Sequence, residues 1–188
     1  IEAFLRSVRS DILVAIDEAY VEYADAGSGP DSLALYRQYP NVCILRTFSK
    51  SWCLGGIRAG YLLASPKVAA VARALLPPFC IPAHTGALLL TALESPGYVA
   101  PLVARIRAER DHLQTGLARV PGWKPYPSAS IFILVRTPDA AAAHAKLLAS
   151  GVLVRRQDHY RGLEGCIRVS VGTREENDLL LAGALRGA

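Results

Sequence analysis

Arg46-Thr47-Phe48-Ser49-Lys50-Ser51-Trp52-Cys53-Leu54-Gly55-Gly56-Ile57-Arg58-Ala59-Gly60-Tyr61 is the stretch on which the reading of this chain turns. It follows an apolar, strand-like run, Val42 to Leu45, and sets one lysine, Lys50, between two serines. A glycine pair and a second cation, Arg58, come next, before another apolar run. Lysines on solvated helix faces keep polar company. A lysine among small hydroxyl residues just after a buried strand suits a pocket, where a desolvated amine loses its proton and attacks a carbonyl. Thr47, Ser49 and Arg58 offer the hydroxyls and guanidinium that suit a phosphate. The plainer alternatives are a surface-loop lysine at Lys50 and a surface salt bridge at Arg58.

A phosphate site beside an aldehyde-reactive lysine points to pyridoxal 5'-phosphate, PLP. Upstream, Asp11-Ile12-Leu13-Val14-Ala15-Ile16-Asp17-Glu18-Ala19-Tyr20 reads as an apolar strand buried on both faces and ending in an acid. Ligands of open α/β sheets bind beyond the carboxyl ends of the strands. Asp17 stands at one such end, and Lys50 follows the next. The chemistry of PLP requires an anion beside the pyridine nitrogen, which keeps the ring protonated and able to accept electrons. Asp17 suits that place, unless it is only a turn acid. Tyr20, one short turn on, is positioned to give its phenol to the ring's 3-oxygen, or else simply packs.

Asp17-Glu18-Ala19-Tyr20, then Arg46-Thr47-Phe48-Ser49-Lys50 with Arg58 after it, resembles the fold-type I PLP-dependent aminotransferases. The run Gly165-Cys166-Ile167-Arg168-Val169-Ser170-Val171-Gly172-Thr173-Arg174-Glu175-Glu176-Asn177 narrows the resemblance to the histidinol-phosphate aminotransferases. It covers the chain from about Asp11 to Leu185. The resemblance implies Lys50 as the cofactor-linked lysine and proton carrier, Asp17 at the ring nitrogen and Tyr20 at the 3-oxygen. It places Thr47, Ser49 and Arg58 at the phosphate. Arg168 interrupts an apolar strand, where a cation is costly unless paired. Its planar fork matches a substrate carboxylate, the alternative being an internal acid. Arg155 matches an arginine near the substrate's distal phosphate, with the adjacent Arg156 as a competing register.

The resemblance further implies an α/β fold in two parts. Residues 1–95 would be the C-terminal part of a large, mostly parallel-sheet PLP-binding domain, and residues 96–188 a small α+β domain. Family members are longer, so the chain is expected to be a C-terminal portion. The phosphate-cradling loop, the stacking aromatic ring and the substrate tyrosines would then lie outside it. The implied reaction exchanges an amino group between L-histidinol phosphate, or its keto form, and the glutamate/2-oxoglutarate pair, in a cytoplasmic homodimer taking small amino-acid and keto-acid substrates. A threonine-phosphate decarboxylase, an aromatic aminotransferase, or a PLP-sensing domain of a transcription regulator would share much of the pattern.

Composition is consistent with that class. The chain has 188 residues, 52% hydrophobic and 20% charged, enough apolar material for a core. Its net charge of +5 is scattered, without a basic-aromatic run, which favours anion-binding arginines over a nucleic-acid surface. Four cysteines lack CxxC spacing and read as reduced, and the four histidines lack metal-ligand spacing. The apolar run Thr85 to Leu93 is too short to span a membrane.

Along the chain, strands are expected at Ile12–Ile16, Val42–Leu45, Ala59–Leu63, Ile131–Val135, Val152–Val154 and Ile167–Val171. Helices are expected at Ser32–Gln38, from Pro66, up to Leu93, over Val99–Arg119 with Leu102, Ile106 and Leu113 on its apolar side, and over Asp139–Ser150 with Gly151 as cap. Ala24–Pro30 reads as a loop, and Ser95-Pro96-Gly97 as the domain boundary. Thr173 and Glu176 open the last helix as a capping box. Trp52 and Trp123 read as packing residues.

Overall fold

The first strand forms later than its apolar content suggests. β1 is Val14–Asp17, while Ile12 and Leu13 precede it exposed. Its ladder begins where its partner allows, with the Val14 amide bonded to the Asn41 carbonyl, so Ile12 and Leu13 have no strand beside them. The expectation of burial on both faces also fails: Val14 and Ile16 are half-buried, but Ala15 and Asp17 are exposed. The computed structural model describes residues 1–25 and 27–186. They belong to two units, Ile1–Ala100 and Pro101–Ala188. Ala26, inside the expected 24–30 loop, lies outside the described residues.

In the first unit, α1 (Glu2–Ser7) precedes β1, and α2 (Ser32–Gln38) joins β1 to β2 (Val42–Thr47). Asp31 caps α2 by accepting from the Leu33 and Ala34 amides. β2 is the central strand. It runs parallel to β1, with Asp17 opposite Leu45, and antiparallel to β3 (Gly60–Leu63), with Thr47 opposite Gly60. Val42, Cys43 and Ile44 are buried, and Val42 packs with Leu5 and Leu35. Gly60 is required by proximity, since a β-carbon there would stand 2.7 Å from the Arg46 carbonyl oxygen. α3 (Pro66–Leu75) opens on a proline in its first turn, as expected, and α4 (Ala83–Leu93) follows.

The second unit is built on α5 (Val99–Leu117), β4 (Lys124–Pro125), β5 (Phe132–Arg136), α6 (Ala140–Ala149), β6 (Arg155–Arg156), β7 (Cys166–Ser170) and α7 (Arg174–Leu185). The strands form an antiparallel sheet in the order β4-β5-β7-β6. One face carries Ile133, Val135, Ile167 and Val169 into a core shared with Leu113, Leu147 and Leu180 of the helices. Three expectations shift. The buried face of α5 is Val103, Leu113 and Leu117 rather than Leu102, Ile106 and Leu113. The strand at Val152–Val154 lies instead at Arg155–Arg156, because only those residues pair with β7, while Val154 turns into the core. Arg155 therefore lies in a strand, not after one. Thr173 and Glu176 do form the capping box, and Gly151 has φ +81° just past α6. Among the described residues no helix is long and apolar enough to cross a membrane.

Candidate active site

The first unit brings five of the expected residues to one cavity. Asp17, Thr47, Ser49, Lys50 and Arg58 line a space of about 290 Å³ beyond the ends of β1 and β2, with Ala19, Leu45 and Arg46. The parallel register explains it: Asp17 and Leu45 are level, so the loop after β2 opens beside the Asp17 carboxylate. That carboxylate accepts one hydrogen bond, from the Ala19 amide at 2.9 Å, which fixes its direction and leaves further acceptor capacity.

The loop from Phe48 to Ala59 is folded onto itself. The Cys53 amide donates to the Lys50 carbonyl, the Leu54 amide to the Phe48 carbonyl, and the Phe48 amide to the Ala59 carbonyl. Thr47 Oγ1 accepts from the Ser49 amide at 3.0 Å and donates to the Ala59 carbonyl. Phe48 is buried against Trp52 and Tyr61, which anchors the loop, and Trp52 is a packing residue as expected. Arg58 stands in the left-handed region, φ 54°, with its guanidinium bonded to the Gly55 carbonyl at 2.8 Å. A non-glycine residue there is strained and persists only where its surroundings hold it.

The Lys50 amine is 5.2 Å from the centre of the Tyr20 ring. Tyr20 thus sits by the lysine, but it lines a neighbouring cavity with Asp17 and Glu18 rather than the one that gathers the other five. One feature was not anticipated. Arg46 lines the main cavity and binds Glu18 at 2.9 Å through both Nε and a terminal nitrogen. Burial works against the Arg46 charge, but hydrogen bonds to Tyr61 and Glu18 outweigh it and raise the pKa above its ordinary value. The signal lay in the sequence as an acid directly after Asp17 and a base directly before Thr47.

The second unit places Arg155 and Arg168 directly opposite each other on β6 and β7. Two like charges so placed repel. Among the described residues neither forms a salt bridge with a carboxylate. Arg156 instead pairs with Asp158. The Arg168 guanidinium lies 5.0 Å from the centre of the Phe132 ring.

Residues 1–183 match the family model for aminotransferase class I and II. This chain belongs to the class I and II aminotransferases. As a class I and II aminotransferase chain, it is 45% identical over 173 residues to the histidinol-phosphate aminotransferase of Deinococcus radiodurans, covering 92% of this chain and 47% of that protein. It is 40% identical to the Stenotrophomonas maltophilia enzyme of the same name, covering 97% and 50%. A crystal structure of the Sinorhizobium meliloti histidinol-phosphate aminotransferase in complex with pyridoxal-5'-phosphate superimposes with a TM-score of 0.84 at 29% identity, covering 97% and 50%. The chain spans about half the length of the curated relatives it matches. The aminotransferase fold expected from the Lys50 and Arg168 motifs is the one observed.

Proposed function

We propose that this chain carries the lysine-bearing part of a PLP-dependent aminotransferase that exchanges an amino group between L-histidinol phosphate, or its keto form, and the glutamate/2-oxoglutarate pair. The observation that carries the reading is the donor set around one cavity: a carboxylate, an amine, two hydroxyl residues and a guanidinium. That set fits the ring nitrogen, the aldehyde and the phosphate of PLP. When bound, PLP supplies an aldehyde that accepts the amino group and a protonated ring that draws electrons from the substrate carbon.

The chain's own residues divide the rest. Asp17, with one oxygen fixed by the Ala19 amide, keeps a proton on the ring nitrogen. Ser49 and Arg58, with Thr47, hold the phosphate. The Lys50 amine, once displaced by the substrate amine, is free to move a proton to and from the substrate carbon. Tyr20, whose ring centre is 5.2 Å from that amine, takes the role at the 3-oxygen. Residues 1–95 act as part of the cofactor-binding domain and 96–188 as the small domain. Arg168 takes the glutamate carboxylate in one half-reaction and the substrate phosphate in the other, with Arg155 assisting at the distal anion. The reading includes a homodimer in the cytoplasm, a reducing compartment that suits four free cysteines.

The test follows the cofactor absorbance of the full-length protein with each substrate separately. L-histidinol phosphate and L-glutamate should each convert the loaded form, and Lys50→Ala should lose the lysine-linked band together with turnover. Release of carbon dioxide from O-phospho-L-threonine, with no response to glutamate, would replace this reading with a decarboxylase.

A further inference from the structure

Arg168 is held in an unusual way. Its Nε is sealed from solvent and has no hydrogen-bond partner. Its guanidinium faces the Phe132 ring at 5.0 Å from the centroid. A buried donor left unpaired is costly, so a side chain kept in that state is kept for a ligand or tolerated for its packing. The surrounding strands set how the guanidinium lies. In the β5–β7 ladder, Leu134 opposes Arg168 and Phe132 opposes Ser170, so Phe132 is the diagonal neighbour on the same face, within reach of a long side chain. On the other flank Arg155 opposes Arg168. Repulsion from Arg155 and attraction to the negative face of the ring push the guanidinium the same way.

We propose that Phe132 is a positioning residue for anion recognition. Its ring fixes the plane of the Arg168 guanidinium, with Nε sealed against the protein, so that the two terminal nitrogens meet a carboxylate or phosphate as a two-pronged donor. This rests on the role given to Arg168 above. Without the ring the guanidinium turns about its long stem, and the fork must be re-formed each time an anion binds. The loss therefore falls on binding rather than on the proton-transfer step.

The experiment uses the PLP-loaded full-length protein and glutarate, a dicarboxylate without an amine to react. Glutarate affinity is measured by calorimetry, and kcat and KM for glutamate are measured beside it. Phe132→Met keeps apolar bulk without a ring, and Phe132→Leu repeats the comparison with another shape. Both should weaken glutarate and raise KM about fivefold, the scale of one exposed cation–π contact, and leave kcat within about twofold. Phe132→Tyr should restore wild-type values. In Arg168→Lys, a further Phe132→Met change should have little additional effect on glutarate affinity. If Arg168→Lys weakens glutarate but Phe132→Met and Phe132→Leu do not, Phe132 only packs and the Arg168 assignment survives. Unchanged affinity in Arg168→Lys removes that assignment and this inference with it. A uniform fall in kcat across the ring-less variants, without a change in glutarate affinity, also overturns it.

Discussion

Tyr23 shows how one buried hydroxyl ties the loop after β1 to pH. The side chain is 3% exposed at the end of a short 3-10 turn, Val21–Tyr23. Burial pushes its phenol up to about 12, with Cys53, Glu22 and Tyr20 adding to the shift. The folded form thus keeps the proton to higher pH than the unfolded chain, whose phenol ionises near 10. The stabilisation is complete below pH 10 and is lost as the pH rises towards 12. A shift of that size corresponds to roughly 3 kcal/mol at most. Urea titrations at pH 9 and pH 11.5 should show a larger loss of stability for the wild type than for Tyr23→Phe, and equal losses would exclude Tyr23 as the source. Arg58 makes a different point at this scale. Its cation was legible from its distance to Lys50. Its left-handed backbone was not, because the strain is imposed by the fold of the 48–59 loop rather than by neighbouring residue types.

At the scale of elements, the turn from β7 into α7 is fastened by a network of side-chain hydrogen bonds. Asn177 accepts from the Gly172 amide, donates to the Gly172 carbonyl and donates to Glu109, which also receives two hydrogen bonds from Arg174. Asn177 is fully buried and Glu109 nearly so, so neither oxygen nor amide has water to fall back on. Asn177→Ala should cost about 2–4 kcal/mol by leaving a carboxylate oxygen and a backbone amide unpaired. Thr173→Ala, which removes only the cap, should cost about 1 kcal/mol. Denaturant unfolding of the two variants side by side checks the order, and a Thr173→Ala cost above that of Asn177→Ala would refute it. Local signals carried much of this region. The capping box, the glycine after α6 and the proline opening α3 act within one turn, and all three read correctly from sequence. The strand at Val152–Val154 misled because its apolar residues serve the core, and pairing with β7 was decided elsewhere in the chain. Glu109 and Phe132 stayed invisible for the same reason: each acts on a residue far away in sequence, and no period marks it.

For the whole molecule, the two units are unequally finished. The second encloses a continuous core from α5 through the sheet to α6 and α7. Among the described residues the first buries Leu5, Leu35 and Val42 as a cluster, and α3 buries none of its residues. Val71, Leu75 and Phe79 are 60%, 79% and 97% exposed, and Leu45 adds to the bare face of the sheet. Expressed separately, residues 101–186 should unfold in urea as one cooperative transition. Residues 1–100 should bind a hydrophobic dye strongly and unfold gradually. A sharp transition in the first segment, or a broad one in the second, would reverse the ranking of the units. The first sheet also ends in β1 on one side and β3 on the other, both short and both edge strands among the described residues. A backbone edge accepts any extended chain that comes near. Because the two borders differ, copies joined β1 to β3 meet head to tail, and each arrival offers the next a fresh border. Growth of that kind has no natural final size.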